Sequence, residues 1–474
     1  MSRNVAIVCL ILVICGYYYI QPVENSFRFR PGHSNPDRVL KSTTRHVPPV
    51  KMLSSRLDFW GLSSGIEYPD YRGNNPSMLS LPHHLPDGNA TLVVVANVPP
   101  GPPELIDGNE INMRTVFASI LDVAEQRSPV PRTEPRNYPL IQSHSLNRLD
   151  DLVFSDHNSF PECDMYPIFR NIQGPEDGRL FWSSLGEPLM IYNSPSPKNS
   201  NLCRVLYLVD LRVVYPILRD IISAPIRFDR SVALLIPGQD GIHKNWAPFT
   251  DSVGDVFVHV NLIPQTIYKL NAPIADLPTY SSPASDLLPT LEPVVFQTLE
   301  EPNCIRSILN DVDWEAIHQA SPFIEVILCT SAEVRSRECD PNDPANRLYV
   351  GVLHVQDKSR WPTFYEPRII TLNSSAPFNY VSVSKPLFYS SSPIEISVDM
   401  VVGTSQWQQI YTVSLTVHKS PVSAISDRGS TVAFLDDWLF VSYGVADDSS
   451  YFALVTVKEI MTDHEMCEEF QARR

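Results

Sequence analysis

Two carboxylates and a guanidinium stand almost side by side in the stretch GPEDGRLFW, Gly174 to Trp182, as Glu176, Asp177 and Arg179. A carboxylate can move a proton or hold a sugar hydroxyl, and an arginine two residues on can fix its orientation. The plainer alternative is a surface turn with an ion pair, which is common and contributes little. A second group, GIHKNWAPF (241–249), sets His243, Lys244, Asn245 and Trp246 in consecutive positions just before a strand-like run. Lysine offers a cationic donor, asparagine both donor and acceptor, and tryptophan an apolar face for a sugar ring. A polar loop over one buried tryptophan is the alternative there. His354 ends the run YVGVLHV, where a structural histidine is the commoner finding. Tyr443 leaves a strand-like run ahead of Asp447 and Asp448, a pattern that also suits Asx turns.

Familiar signatures are missing. The chain has no GxGxxG, P-loop or HExxH, and its cysteines show no zinc spacing. Asp311-Val312-Asp313 matches the short DxD of nucleotide-sugar transferases but is read as a chance match, so no metal and no cofactor are expected.

The elements that must position these groups are strands. Short β-like runs recur from residue 56 onward, among them ATLVVVANV (90–98), RVLYLVDLRVV (204–214), GDVFVHVNL (254–262), RLYVGVLHVQ (347–356) and IYTVSLTVH (410–418). Proline is 43 of 474 residues, which suits turns between short strands and disfavours long helices. Only 111–127 and 302–320 read as helical, and the Pro/Ser-rich segment 271–302 reads as an inserted surface loop. The pattern predicts an all-β sandwich, barrel or propeller, with no strict repeat to choose among them.

The net charge is −16. Six of the 37 basic and two of the 53 acidic residues fall in the first 50 positions, so the other 424 hold 31 against 51, a balance of −20. That argues against nucleic acid as a partner, because phosphate-backbone binding needs a basic field. Residues 5–20 form an uncharged run of 16, near the lower length for a spanning helix. It ends in Tyr17-Tyr18-Tyr19 rather than small residues, so it is read as an uncleaved signal anchor, with a cleaved signal peptide as the rival. Residues 1–4 would then be a cytosolic tail, 21–55 a stem and 56–474 a lumenal body. Six cysteines outside the apolar run, and the sequons at Asn89 and Asn373, agree with a secretory location.

Taken in order, RGNNPSMLSLP (72–82), PEDGRLFW (175–182), HKNWAPF (243–249), GVLH (351–354) and VSYGVADDSS (441–450) resemble the landmarks of fungal β-mannosyltransferases. They are similar, more loosely, to the five-bladed β-propeller family of β-mannoside phosphorylases. The likeness covers about residues 66 to 455. It implies a five-bladed β-propeller behind the signal anchor, with the active site in a central funnel. It also implies an inverting mannosyltransferase, and with the anchor reading of residues 5–20 the expectation is a single-pass type II membrane protein of the Golgi. The partners implied are a nucleotide-sugar donor, GDP-mannose, and a mannan or N-/O-glycan acceptor. Asp177 matches the acidic position that the phosphorylases use as general acid, and in synthesis it would act as general base. Glu176 and Arg179 would hold sugar hydroxyls. His243, Lys244 and Asn245 would meet the donor phosphate or the acceptor. Asp447 would be a second sugar-binding carboxylate, and Asn75, Trp246, His354 and Tyr443 would line the site. Gly178 stands where the family usually has proline, which loosens the turn that carries Asp177. The rival functions are a β-mannoside phosphorylase or hydrolase, a non-catalytic glycan-binding propeller, and a structural scaffold.

Overall fold

The structure is a computed structural model that describes residues 52–57, 61–63, 66–68, 74–82, 91–98, 104–106, 109–123, 140–142, 147–149, 152, 163, 169, 172–196, 202–236, 241–271, 290–295, 305, 308–309, 317–357, 364–387, 389–390, 410–418, 432–445, 449–462 and 464–467. The chain divides into two units, 1–47 and 48–474, and everything described belongs to the second. The anchor segment 5–20 and Asp311-Val312-Asp313 lie outside the described residues. Among the described residues no helix is long and apolar enough to cross a membrane.

The body is mostly β-sheet with few helices. Among the described residues, five mainly antiparallel sheets of at least four strands follow one another along the chain. The first runs Asn74–Ser80, Thr91–Val98, Thr115–Val123, Asn147–Arg148. The second runs Glu176–Trp182, Pro188–Pro195, Leu202–Asp210, Val232–Leu234. The third runs Ala247–Thr250, Val256–Asn261, Thr266–Asn271, Thr290–Val295. The fourth has Ile324–Ile327, Arg347–Asp357, Phe364–Asn373 and Tyr380–Ser384 at its centre. The fifth runs Ile410–His418, Trp438–Val445, Ser449–Thr456 and is completed by Met52–Leu57 from the other end of the chain. That last strand crosses the stem boundary expected at residue 55.

Strand periodicity explains how the sheets meet. Successive side chains point to opposite faces, so an unbroken apolar run feeds two cores at once. In TLVVVANV, Val93 and Val95 join Leu180, Met190 and Tyr207 of the second sheet. Leu92, Val94 and Ala96 join Phe440 and Phe452 of the fifth. In the same way Leu180 faces the first sheet while its neighbour Phe181 packs with Val256 and Val258 of the third. Phe249 and Phe257 of the third meet Tyr349, Leu353 and Ile370 of the fourth. Val350, Val352 and Ile369 meet Leu439, Val441 and Val455 of the fifth. Five clusters therefore lie between successive sheets, the last joining the fifth sheet back to the first.

Three sequence expectations are corrected. Residues 111–127 were expected to be helical, but Asn109–Met113 and Thr115–Val123 are strands. Val116, Ala118 and Ile120 face one cluster and Phe117 and Leu121 another, so the apolar run fits a strand buried on both sides. Within 302–320, Ile317–Gln319 pairs with Leu353–Val355 as a strand. Likewise Thr290–Val295, inside the expected loop 271–302, is the outermost strand of the third sheet.

Candidate functional site

Three polar residues near the starts of three edge strands adopt left-handed backbone conformations: Asn75 at φ 49°, Asp177 at φ 55° and Asn245 at φ 61°. Asparagine and aspartate tolerate this region better than most residues, and it turns their side chains out of the strand's alternation. Asn75 and Asp177 both lie in bulges, where the pairing register slips between Asn74 and Ser77 and between Glu176 and Arg179. A bulge is a common device for re-aiming a side chain. The edge strands that carry them pack against one another through serine hydroxyls. Leu180 N–H donates to Ser77 Oγ at 2.7 Å, and Met78 N–H donates to Ser414 Oγ at 3.0 Å.

Asp177 is held by two amides. Asn75 Nδ2 donates to its Oδ1 at 3.2 Å and Asn97 Nδ2 to the same oxygen at 2.9 Å. The N–H of Asp177 donates in return to Asn97 Oδ1 at 2.8 Å. Among the described residues Oδ2 accepts no hydrogen bond. Asn75 is itself set against Gly444 of the fifth sheet, so closely that a Cβ there would lie 2.5 Å from Asn75 Oδ1.

Arg179 is 3% exposed and forms no ion pair among the described residues. Its Nη1 donates to the Trp246 carbonyl at 3.1 Å, and its Nη2 to Asn245 Oδ1 and to the Tyr411 hydroxyl, each at 3.0 Å. Tyr411 donates in turn to Asn245 Oδ1 at 2.8 Å. A guanidinium held in place by neutral groups keeps its charge available to an incoming anion or oxygen.

Glu176 faces the other way. Arg204 Nη2 lies 3.2 Å and Arg114 Nε 3.9 Å from its carboxylate. Burial pushes the Glu176 carboxyl up, against the pull of Arg204. Arg204 is buried and also donates to the Ile172 and Gly174 carbonyls at 3.0 Å and to Asn193 Oδ1, so it braces the turn. Lys244 is exposed nearby, its Nζ 5.4 Å from the centre of the Phe169 ring.

The remaining expected residues lie deeper. His243 is buried with its ring 4.7 Å from that of Trp246, and burial lowers it to about 4, so it is neutral near pH 7. Trp246 is 4% exposed within the core between the second and third sheets. It has no open face for a sugar ring, and its contribution is the carbonyl that receives Arg179. His354 is fully buried beneath Tyr411, its Nε2 accepting the Thr412 N–H at 3.2 Å. Burial, with His318 and Arg179 nearby, holds it neutral. Tyr443 is also fully buried, its ring 4.4 Å from Tyr389 and 5.6 Å from Tyr451. The structure therefore places His243, Trp246, His354 and Tyr443 in buried positions beneath the site, and no exposed ring of theirs lines it. Asp447 lies outside the described residues.

The structure brings Asn75, Asp177, Arg179 and Asn245 into one hydrogen-bonded neighbourhood, with Glu176 and Lys244 at its side. Sequence reasoning missed Asn97, Tyr411, Arg114 and Arg204. Asn97 leaves a faint signal, as the lone amide closing the apolar run VVVA before Val98-Pro99-Pro100. The other three leave none, because partners far apart in the chain define them.

No sequence family and no curated protein matches the chain. Among solved structures, the chain is similar to a GDP-Man-dependent mannosyltransferase from Leishmania mexicana, at 10% identity over 89% of this chain and 94% of that one, with a TM-score of 0.39. It is similar to a mannose phosphorylase from Leishmania mexicana in complex with phosphate ion, at 9% identity over 90% and 93%, with a TM-score of 0.36. It is also similar to a beta-1,2-mannobiose phosphorylase from Listeria innocua, at 10% identity over 86% and 96%, with a TM-score of 0.38.

Proposed function

We propose that the five sheets are the blades of a five-bladed β-propeller and that the chain is an inverting glycosyltransferase, moving mannose from a nucleotide sugar onto a glycan acceptor. The observation that carries this reading is the Asp177 carboxylate, one oxygen tied to two amides and the other open, where edge strands of separate sheets meet. The carboxylate would take the proton of the acceptor hydroxyl as the hydroxyl oxygen attacks C1 of the mannosyl donor. The bond from C1 to the donor phosphate breaks, and the nucleoside diphosphate leaves with the electron pair. Direct attack from the opposite face inverts an α-linked donor to a β-linked product. GDP-mannose is the donor proposed, and mannan or an N-/O-glycan the acceptor.

The charges favour a phosphate-bearing substrate. Arg114, Arg179, Arg204 and Lys244 surround Glu176 and Asp177, a local cation excess in a chain of net charge −16. The same excess would suit inorganic phosphate, which keeps a β-mannoside phosphorylase as the second reading. With residues 5–20 as a signal anchor, the enzyme would be a single-pass type II protein of the Golgi.

The test is to incubate the full-length protein in detergent with GDP-mannose and a mannan acceptor, and separately with a β-mannoside and phosphate. A new β-linked mannoside in the first reaction supports transfer. Mannose 1-phosphate from the second with no product from the first replaces transfer by phosphorolysis. Binding of mannan with no turnover in either makes the site a glycan-binding one.

A further inference from the structure

We propose that Asn97 is a positioning residue for Asp177 and decides which carboxylate oxygen meets the acceptor, an inference that rests on the catalytic reading above. Asn97 is 5% exposed and sits in register opposite Asn74 on the neighbouring strand of the first sheet. The bulge that follows Asn74 carries Asn75 over the same carboxylate. One strand pair therefore presents both amides.

The bonds between Asn97 and Asp177 are reciprocal. Asn97 Nδ2 holds the Asp177 side chain, and Asn97 Oδ1 receives the Asp177 main-chain N–H. The ring so closed restrains the backbone at φ 55° and the side-chain torsions together. Gly178, the next residue, adds no restraint of its own.

A carboxylate oxygen offers two lone-pair sites, and the amides of Asn97 and Asn75 occupy both sites of Oδ1. That oxygen has none left for an acceptor hydroxyl. The proton must go to Oδ2, while the electron pair of the broken O–H bond forms the new bond to C1 and the pair of the C1–O bond leaves with the donor's diphosphate. Asn97 thus selects the acting oxygen without touching substrate.

The experiment uses Asn97→Asp and Asn97→Ala in the full-length protein, with steady-state kinetics across pH. N97D keeps an acceptor for the Asp177 N–H but sets a second carboxylate oxygen where the donor was. Like charges side by side retain a proton more readily, so the acid limb of its pH–rate profile moves to higher pH. Turnover near neutral pH falls about 10- to 100-fold in both variants, the range expected for losing a hydrogen bond to a charged group. The KM for donor stays within about twofold, because no donor contact is removed. A merely structural asparagine would lower the folded fraction and leave the profile in place. If N97D does not fold, turnover per folded molecule of N97A decides, with the folded fraction taken from melting: a loss at unchanged donor KM supports the role, and full turnover per folded molecule overturns it. Wild-type turnover and an unmoved profile in the variants, with an active wild type, overturn the role of Asn97 alone. A wild type inactive with every donor overturns the catalytic reading and this role together.

Discussion

Gly444→Ala tests whether the contact between the fifth and first sheets holds the site. A methyl at that position would lie 2.5 Å from Asn75 Oδ1, 3.0 Å from Asn75 N and 3.4 Å from Asn75 Cα. Gly444 is not in the left-handed region, so alanine meets no backbone penalty and the effect is steric. A carbon–oxygen approach of 2.5 Å is well inside van der Waals contact, so the Asn75 amide must swing away or the strands must part. Swinging breaks the 3.2 Å bond from Asn75 Nδ2 to Asp177. A hydrogen bond to a charged group contributes about 1.5–3 kcal/mol, and partial replacement by water at half-buried Asn75 leaves a loss of about 1–2 kcal/mol. If the bond matters only in the reacting complex, turnover falls about 5- to 30-fold. Overpacking would add about 1–3 kcal/mol of destabilisation. The assay is initial-rate transfer at saturating donor, with thermal melting as the stability control. In an Asn75→Ala background the same glycine substitution should cost little further turnover, because its main steric partner is gone. Turnover within twofold of wild type in G444A would refute the claim that this contact orients Asn75, and additivity in the double variant would refute the route through it.

Three further outcomes are expected. Asp177→Asn removes the proposed proton acceptor and should lower turnover by about 10²–10⁴-fold with melting unchanged; full activity contradicts that role. His243 and His259 are buried and neutral, lowered by burial to about 4 and about 3. Their unfolded forms titrate near 6.5, so the stability they confer is complete above that pH and is lost as pH falls towards 4, by about 3 kcal/mol each. A urea midpoint that stays flat from pH 7 to 4.5 would show that neither imidazole is held neutral. Asn373 ends a strand beside the exposed turn residues Ser375, Ala376 and Pro377. Expression through a eukaryotic secretory route should attach an N-glycan there; an unchanged mass after endoglycosidase treatment, or in Asn373→Gln, would count against it.

Much of the fold was legible because strand signals are local. VVVA, VLYLV and GVLHV each became a buried strand, and Pro-rich joints fell between them. The run VFASILDV misled because an unbroken apolar stretch is ambiguous between a helix and a strand with two buried faces, and only the sheets on either side resolve it. At the site, Glu176, Asp177 and Arg179 were recognisable as a charged cluster, but their division of labour was not. Glu176 turns to Arg204 and Asp177 to Asn97, pairings set by the bulge between them. Trp246 and His354 were legible as residue types and not as positions, since burial depends on which neighbouring sheet covers them.

The pairing of Met52–Leu57 with Ser449–Thr456 matches Leu53 to Leu454, across nearly the whole sequence. A ribosome must therefore deliver almost all of the polypeptide before the fifth sheet can gain that strand. Until then Met52–Leu57, made first, has no Ser449–Thr456 to pair with and keeps an open edge on that side, an invitation to pair with another copy. Closure of so long a loop makes late assembly slow. A truncation that removes only the first 57 residues would strip the clasp from the far end of the protein, and its damage would register around Ser450 to Leu454.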